Sequence, residues 1–236
     1  MKFGTLYLIP VTLGDDNITK VLPADVVSIA QQLDTFVVES EKSARHFLST
    51  IKTIKPVREL SLNLLNEHTE DKDVSALLAP LLAGKDIGLM SDAGCPGVAD
   101  PGAKLIELAH DKGIRVVPFV GPSSILLSLM ASGLNGQQFA FLGYLPVDKV
   151  LRNQKLKEIE KRSLNHKETQ LFIETPYRNQ HMLEAVLSVC QPNTRLCVAC
   201  DISLASEMIT TKMIATWKKS PLPDLHKRPT VFLLLS

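Results

Sequence analysis

Short apolar runs alternate with amphipathic segments along most of this chain, and that alternation restricts the folds open to it. The runs TLYLIP (5–10), DIGLM (86–90) and VRELSL (57–62) predict strands. The segments PADVVSIAQQL (23–33) and DVSALLAPLLAG (73–84) predict helices, the second closed by its final glycine. Continuous apolar strands separated by helices are typical of a mainly parallel sheet covered on both faces. The sequence therefore predicts an α/β fold.

The pattern pauses at PFVGPSS (118–124) and then restarts, which predicts a second lobe. Near the end, EMITTKMIATW (207–217) and RPTVFLLLS (228–236) read as strands with no helix between them. A β-rich ending predicts an antiparallel edge in a second, mixed sheet. We therefore expect two α/β lobes, over 1–118 and 119–236, and 45% apolar residues suffice to give such a chain a core.

Composition excludes several classes of protein and predicts a cytoplasmic one without a metal. The net charge of +1 shows no global preference for nucleic acid or an anionic membrane. The amino terminus lacks the apolar core of a signal peptide, and no apolar run approaches the length of a membrane span. Four cysteines make no disulfide framework. Cys197 and Cys200 form a CxxC, but strand residues three apart face opposite ways, so we expect them in the core.

The loop SDAGCPGVADPG (91–102) joins a predicted strand to a predicted helix. It holds three glycines, two prolines and two aspartates, and it has no Lys or Arg. It matches neither the P-loop nor the GxGxxG fingerprint, so a phosphate cradle is not indicated. Loops at the carboxyl ends of parallel strands bind ligands, and this one suits a neutral or cationic ligand such as the sulfonium S-adenosylmethionine. The alternative is a structural turn with Asp92 or Asp100 as a helix cap.

Several motifs, in order along nearly the whole chain, resemble the tetrapyrrole methylase superfamily. Within it they are most similar to the branch that methylates a ribose 2′-hydroxyl of small-subunit ribosomal RNA. The resemblance implies two α/β domains with S-adenosylmethionine in the cleft between them, usually as a homodimer. The motifs are GTLYLIPVTLGD (4–15), NEHTE (66–70), the segment from Leu89 to Leu134, FAFLGYLP (139–146) and LFIETPYR (171–178).

The resemblance also implies which residues bind the cofactor, most of them through backbone groups. They follow the first strand, line the loop after the apolar DIGLM run, or lie beside the adenosine and methionine ends of the cofactor. The implied cofactor-binding residues are Pro10, Ser91, Asp92, Cys95, Ser123, Ser124, Glu174, Pro229 and Thr230.

The chain departs from that branch at positions that bear on the substrate. ESEK (39–42) stands where the branch has Glu-Asp-Thr-Arg, with Arg45 one turn later, and DISLASE (201–207) lacks the lysine of the usual Glu-Leu-Thr-Lys. The sequence stops at VFLLLS, where many members continue, so we expect a divergent relative without the C-terminal extension. Arg45, Tyr177 and Arg178 are the candidate substrate-binding residues.

Methyl transfer to a hydroxyl requires a base within hydrogen-bond reach of the attacking oxygen. Glu39 and Glu67 are the catalytic candidates, although a role as ordinary surface carboxylates is an equal interpretation. Three functions stay open. The first is an S-adenosylmethionine-dependent methyltransferase acting on ribosomal RNA; the others are a methyltransferase for a tetrapyrrole or other small molecule, and a non-catalytic ligand-binding protein.

Overall fold

The computed structural model describes residues 2–15 and 17–236 and divides into two compact units. The first unit extends through Ser123, and the second runs from Ser124 to Ser236. Each has its own sheet and its own hydrophobic core, so each is an α/β layer structure in its own right.

The first unit is built on a parallel sheet in the order β3–β2–β4–β1–β5. Its strands are β1 (Thr5–Leu8), β2 (Thr35–Val38), β3 (Ser61–Leu64), β4 (Ile87–Met90) and β5 (Arg115–Pro118). Its helices are α1 (Ile18–Val21), α2 (Ala24–Gln32), α3 (Glu41–Ile51), α4 (Asp71–Ala76), α5 (Ala79–Leu82) and α6 (Gly102–Asp111), with a 3₁₀ turn over Val57–Glu59.

Alternation along the central strands buries apolar side chains on both faces of this sheet. In β2, Phe36 and Val38 enter one hydrophobic cluster, which includes Leu48 of α3. Val37, between them, enters the cluster on the opposite face, which includes Leu105 of α6. Both faces of the sheet are therefore covered by apolar packing, as the continuous apolar strands predict.

The second unit has a mixed sheet in the order β6–β7–β10–β8–β9. Its strands are β6 (Phe139–Tyr144), β7 (Thr169–Ile173), β8 (Arg195–Cys200), β9 (Met208–Met213) and β10 (Thr230–Leu235). Its helices are α7 (Ser124–Ser132), α8 (Lys149–His166), α9 (Asn179–Val189) and α10 (Ile214–Trp217). β6 and β7 are parallel, whereas β10, β8 and the edge strand β9 pair antiparallel. The two α/β units and the antiparallel edge confirm the predicted fold class.

Three local predictions were wrong. Only the end of VRELSL joins a strand, because Val57–Glu59 forms a 3₁₀ turn after Pro56 and pairing with β2 begins at Ser61. The helix predicted over 73–84 is two helices, since Pro80 cannot donate a backbone hydrogen bond and sits in the first turn of α5.

The third wrong prediction is the long strand over 207–217. Its partner strand β8 begins at Arg195, which pairs with Met213, so no ladder is left for the residues that follow. The chain turns into α10, where Trp217 is buried and donates from Nε1 to the carbonyl of Leu196 at 2.9 Å. No helix in the described ranges is long and apolar enough to cross a membrane.

Candidate functional site

The carboxyl ends of β1, β2, β4 and β5 meet at one edge of the first sheet, because these strands are parallel. The loops that leave them begin at Ile9, Glu39, Ser91 and Phe119. In open parallel sheets this edge is where ligands bind. The sequence-predicted site residues Pro10, Glu39, Ser91, Asp92 and Cys95 therefore lie on strand-end loops of one unit.

The loop after β4 is fastened to the loops after β1 and β5. Val11 and Gly94 form a two-way backbone bridge, with N···O distances of 2.9 and 3.3 Å. Gly94 has φ +75°, a left-handed conformation that favours glycine. Cys95 donates from Sγ to the carbonyl of Pro122 at 3.4 Å, and burial raises the pKa of this thiol. Cys95 therefore holds the loop as a neutral thiol.

A close backbone approach joins β1 and β5 beyond their last paired residues. A Cβ added at Gly121 would lie 2.2 Å from Cβ and 2.5 Å from Cγ of Pro10. The rigid ring of Pro10 cannot move aside, so only glycine fits. Pro10 is buried in this contact, which fixes the path of the chain at the edge of the sheet.

Asp100 closes the far end of the same loop. Its Oδ1 accepts from the backbone N–H of Gly97 and of Gly102, each at 2.8 Å, where Gly102 begins α6. This is the structural cap that the sequence offered as an alternative role for the loop's aspartates. Asp92 is different, because its side chain is exposed.

Glu39 lies beside Asp92 and carries a perturbed carboxyl. Its Oε2 accepts from the Asp92 N–H at 3.1 Å. Burial raises the pKa of Glu39; the hydrogen bond from Asp92 opposes this, and the charges of Asp92, Asp100 and Glu67 add to the rise. A half-buried carboxylate whose pKa is raised in this way is a candidate functional group.

A groove of about 380 Å³ opens beside Ser91 and Asp92. Thr12, Ser91 and Asp92 contribute to it from strand-end loops, while Lys42 and His46 of α3 bring basic side chains. The helix α3 begins directly after β2 because the Ser40 side chain accepts from the Ser43 N–H at 3.4 Å and caps it. The groove therefore has acidic and basic groups on different elements.

Sequence reasoning missed Lys42 and His46 as site residues. They are spaced i and i+4 on α3, so they share a face, and that spacing was the available signal. Arg45, the predicted substrate residue, does not line the groove. It pairs with Glu41 at 2.8 Å and donates to the Val57 carbonyl at 3.4 Å.

Glu67, the second catalytic candidate, is much more open than Glu39. Its side chain is 86% exposed, and it lies 3.6 Å from His68 Nε2. It is close enough for its charge to raise the pKa of Glu39. Ser123 ends the first unit and Ser124 begins α7 of the second.

The remaining predicted cofactor residues lie together in the second unit. Ile173 pairs with Val231, so Glu174 and Thr230 occupy neighbouring positions at one end of β7 and β10. The Glu174 carboxylate is buried and accepts from the Thr175 N–H and from Arg178 Nη2, each at 2.6 Å. Pro229 accepts the Asp201 N–H at 2.9 Å through its carbonyl.

Cys197 and Cys200 are fully buried in β8 as free thiols. Cys200 enters the cluster against α8 and α9, and Cys197 does not, in keeping with opposite faces. Among the residues that the structure describes, no group of three or more His, Cys, Asp or Glu side chains could hold a metal ion.

Comparison with known proteins identifies relatives over most of the chain. It is 32% identical over 225 residues to the ribosomal RNA small subunit methyltransferase I of Vibrio cholerae, covering 93% of this chain and 69% of that protein. The protein of that name from Escherichia coli O157:H7 is 30% identical over 210 residues, covering 87% and 68%. The one from Halalkalibacterium halodurans is 30% identical over 189 residues, and this chain spans 60% of its length. No family model matches.

The fold is shared with a solved methyltransferase. The crystal structure of the methyltransferase CobJ superposes with a TM-score of 0.65 and covers 100% of this chain and 95% of that one. The sequence identity is 16%, so this likeness shows the fold alone.

Proposed function

We propose, because this chain belongs to the ribosomal RNA small subunit methyltransferase I family, that it transfers a methyl group from S-adenosylmethionine to small-subunit ribosomal RNA. One observation carries the proposal: the Glu39 carboxylate, with its raised pKa, lies beside the fastened loop at the carboxyl edge of a parallel sheet. A methyl donor and a proton acceptor are the two groups that methylation of a hydroxyl requires.

The residues present fit a cationic donor. The loop over 91–101 has no lysine or arginine, and the exposed Asp92 carboxylate and Glu39 lie next to each other at its start. When bound, S-adenosylmethionine supplies an electrophilic methyl group on a positively charged sulfur. In a half-buried site, nearby carboxylates favour a cation more strongly than they do in water. In this unit we assign cofactor binding to Pro10, Ser91, Asp92 and Cys95.

The acceptor side of the proposal rests on the other wall of the groove. Lys42 provides a positive group, and His46 an imidazole, where a phosphate of an RNA strand would enter. A strand held there would present a neighbouring ribose to Asp92 and Glu39. The basic side chains would pair with the carboxylates of a tetrapyrrole as well as with a phosphate. The relatives favour RNA, and a tetrapyrrole stays the alternative acceptor.

We assign Glu39, in preference to Glu67, as the base that accepts the proton of the attacking hydroxyl. Its Oε2 is held by the Asp92 N–H, which orients the carboxylate, and its raised pKa makes it a stronger base than an exposed carboxylate. The Glu67 side chain is 86% exposed, and no described hydrogen bond orients it toward the loop after β4. Its negative charge instead adds to the basicity of Glu39.

Label transfer from S-adenosylmethionine tests the proposal. Small ribosomal subunits from a strain lacking this gene should accept label in their RNA from the wild-type protein, and nuclease digestion should locate it on a ribose. The Glu39→Gln variant should bind the cofactor and transfer little label. Absence of label in the RNA, with cofactor binding intact, would contradict the substrate assignment.

Two further proposals concern assembly and location. We expect a homodimer, which the mass in solution from light scattering checks, and we expect the protein in the cytoplasm, where its substrate is made. The free thiols of Cys95, Cys190, Cys197 and Cys200 are in keeping with a reducing compartment.

A further inference from the structure

A second group of side chains, most of them exposed, lies in the second unit. It consists of Tyr144, Tyr177, Arg178, His226 and Lys227, and we call it the aromatic patch. β6 and β7 are parallel, and β10 runs antiparallel to β7. The residues after β6 and β7 and those before β10 therefore meet at one edge of the second sheet, and the patch lies there.

Tyr177 forms the centre of the aromatic patch. Its ring is 66% exposed, and the Lys227 ammonium lies 5.8 Å from the ring centroid. The His226 ring meets it edge-on, with centroids 6.1 Å apart and planes at 77°. Tyr144, 60% exposed, is paired in register with Ile173, close to Arg178. One face of a large ring is thus open to solvent beside cationic groups.

The backbone under the aromatic patch is held in place. Lys227 has φ +60° and donates its N–H to the Pro176 carbonyl at 3.0 Å, which ties the loop before β10 to the loop after β7. The buried Asn179 side chain donates to the Arg228 carbonyl at 2.6 Å, a second tie between the same loops. A platform ordered in advance loses little conformational entropy when it binds a ligand.

The charges of the patch favour an anionic partner. Its acidic neighbours are already engaged: Glu174 is buried against Arg178 at 2.6 Å, and Asp224 Oδ1 accepts the His226 N–H at 2.9 Å. Lys227 and His226 are exposed. An open aromatic face beside an exposed cation is the combination that binds unpaired nucleotides, because every base has a face that stacks and a phosphate beside it.

We propose that the aromatic patch binds one unpaired nucleotide of the RNA substrate, with its base stacked on Tyr177 and its phosphate against Lys227. This rests on the proposed function, since it supposes that RNA is the substrate. It adds a contact outside the groove beside Asp92, so the protein would hold its RNA at two places. A second copy of this chain on the same ring is the competing occupant.

The test measures binding of a labelled single-stranded oligoadenylate by fluorescence anisotropy over a range of salt concentrations. Tyr177→Ala should weaken binding about tenfold, the effect expected of one stacked base, and Tyr177→Phe should keep it. Lys227→Asn, which keeps a residue that tolerates the left-handed backbone, should lower the slope of log affinity against log salt by about 0.7, the value for one phosphate. Lys219→Asn, an exposed lysine outside the patch, should leave the slope unchanged.

An abasic strand separates stacking from charge. On it, Tyr177→Ala should bind as the wild type does, whereas Lys227→Asn should still be weaker. Equal binding of oligoadenylate by Tyr177→Ala and wild type would overturn the proposal. A change in the mass in solution of Tyr177→Ala would also overturn it, because the ring would then belong to a dimer contact. A loss of S-adenosylmethionine affinity in Tyr177→Ala as large as its loss of oligoadenylate affinity would assign the ring to the cofactor. If wild type methylates ribosomal RNA while Tyr177→Ala binds normally, only this proposal fails; if wild type methylates none, the proposed function fails.

Discussion

Asp100 fastens the loop of the candidate site, and its replacement by alanine should loosen the first unit. The substitution removes the oxygen that accepts from Gly97 and Gly102, each at 2.8 Å. The Gly102 N–H lies in the buried first turn of α6 and needs a protein acceptor. The half-buried Gly97 N–H can form a hydrogen bond with water instead. Leaving the buried Gly102 N–H without an acceptor carries the full cost of an unsatisfied hydrogen bond, and the cost for Gly97 is small. We therefore expect a loss of about 2–3 kcal/mol in the free energy of unfolding.

The Asp100→Asn variant separates the acceptor oxygen from the charge. Burial raises the pKa of Asp100 from its ordinary value of 3.8 despite the two hydrogen bonds. The folded state therefore binds the proton more tightly than the unfolded state, so stability contributed by this group is present at low pH and lost as pH rises through the folded-state pKa. An amide oxygen keeps both hydrogen bonds without that loss. We expect Asp100→Asn to lie within about 1 kcal/mol of wild type at neutral pH.

Urea unfolding followed by far-ultraviolet circular dichroism measures these differences. The single tryptophan, Trp217, lies in the second unit, so its fluorescence reports separately on a region that the substitution does not touch. Asp111→Asn is the matched control, because that exposed aspartate ends the same helix, and it should change stability by less than about 0.5 kcal/mol. If Asp100→Ala unfolds at the same urea concentration as Asp111→Asn, the Asp100 hydrogen bonds do not stabilise the loop.

Three further predictions concern the same edge of the first sheet. Glu39→Gln should lower the rate of methyl transfer by about 10²–10⁴, a much larger effect than the loss of cofactor affinity from removing one of two neighbouring carboxylate charges. Because burial raises the Glu39 pKa above its ordinary value of 4.5, the wild-type rate should fall as the pH is lowered toward that raised pKa. A Glu39→Gln variant as active as wild type refutes the assignment. Gly121→Ala, whose Cβ would lie 2.2 Å from Pro10 Cβ, should lower the free energy of unfolding in urea by about 1–3 kcal/mol. Gly136→Ala, which has open space around the added Cβ, should lower it far less, and equal losses would contradict the close approach of Gly121 to Pro10. Because burial raises the pKa of Cys95, its thiol should react with iodoacetamide more slowly than a free cysteine, and more slowly still when S-adenosylmethionine is present. Mass spectrometry measures the labelling. Fast labelling that the cofactor does not affect would place Cys95 outside the site.

Much of the fold follows from local patterns in the sequence. The apolar run that becomes β2 and the glycine-rich loop after β4 are recognisable without tertiary information, because burial on both faces requires continuous apolar residues and tight turns require glycine. The failures at 57–62 and 207–217 have one cause. Strand length depends on how far a partner strand extends, and the partner is remote in sequence.

The candidate site was less predictable because it depends on contacts between distant loops. Nothing local to Cys95 indicates that it donates to Pro122, and nothing local to Glu39 indicates that Asp92 will meet it. The groove depends on which face of α3 turns toward the β4 loop. Arg45 and Lys42 both lie on that helix, and only packing decides that Lys42 lines the groove.

A crystal structure of the protein with S-adenosylhomocysteine tests the central claim most directly. We expect the nucleoside product against the loop over Ser91–Cys95, near Pro10, with the Glu39 carboxylate directed toward the position that the transferred methyl group leaves. A product bound at a different edge of the protein, or a β4 loop whose own side chains fill that space, would contradict the account.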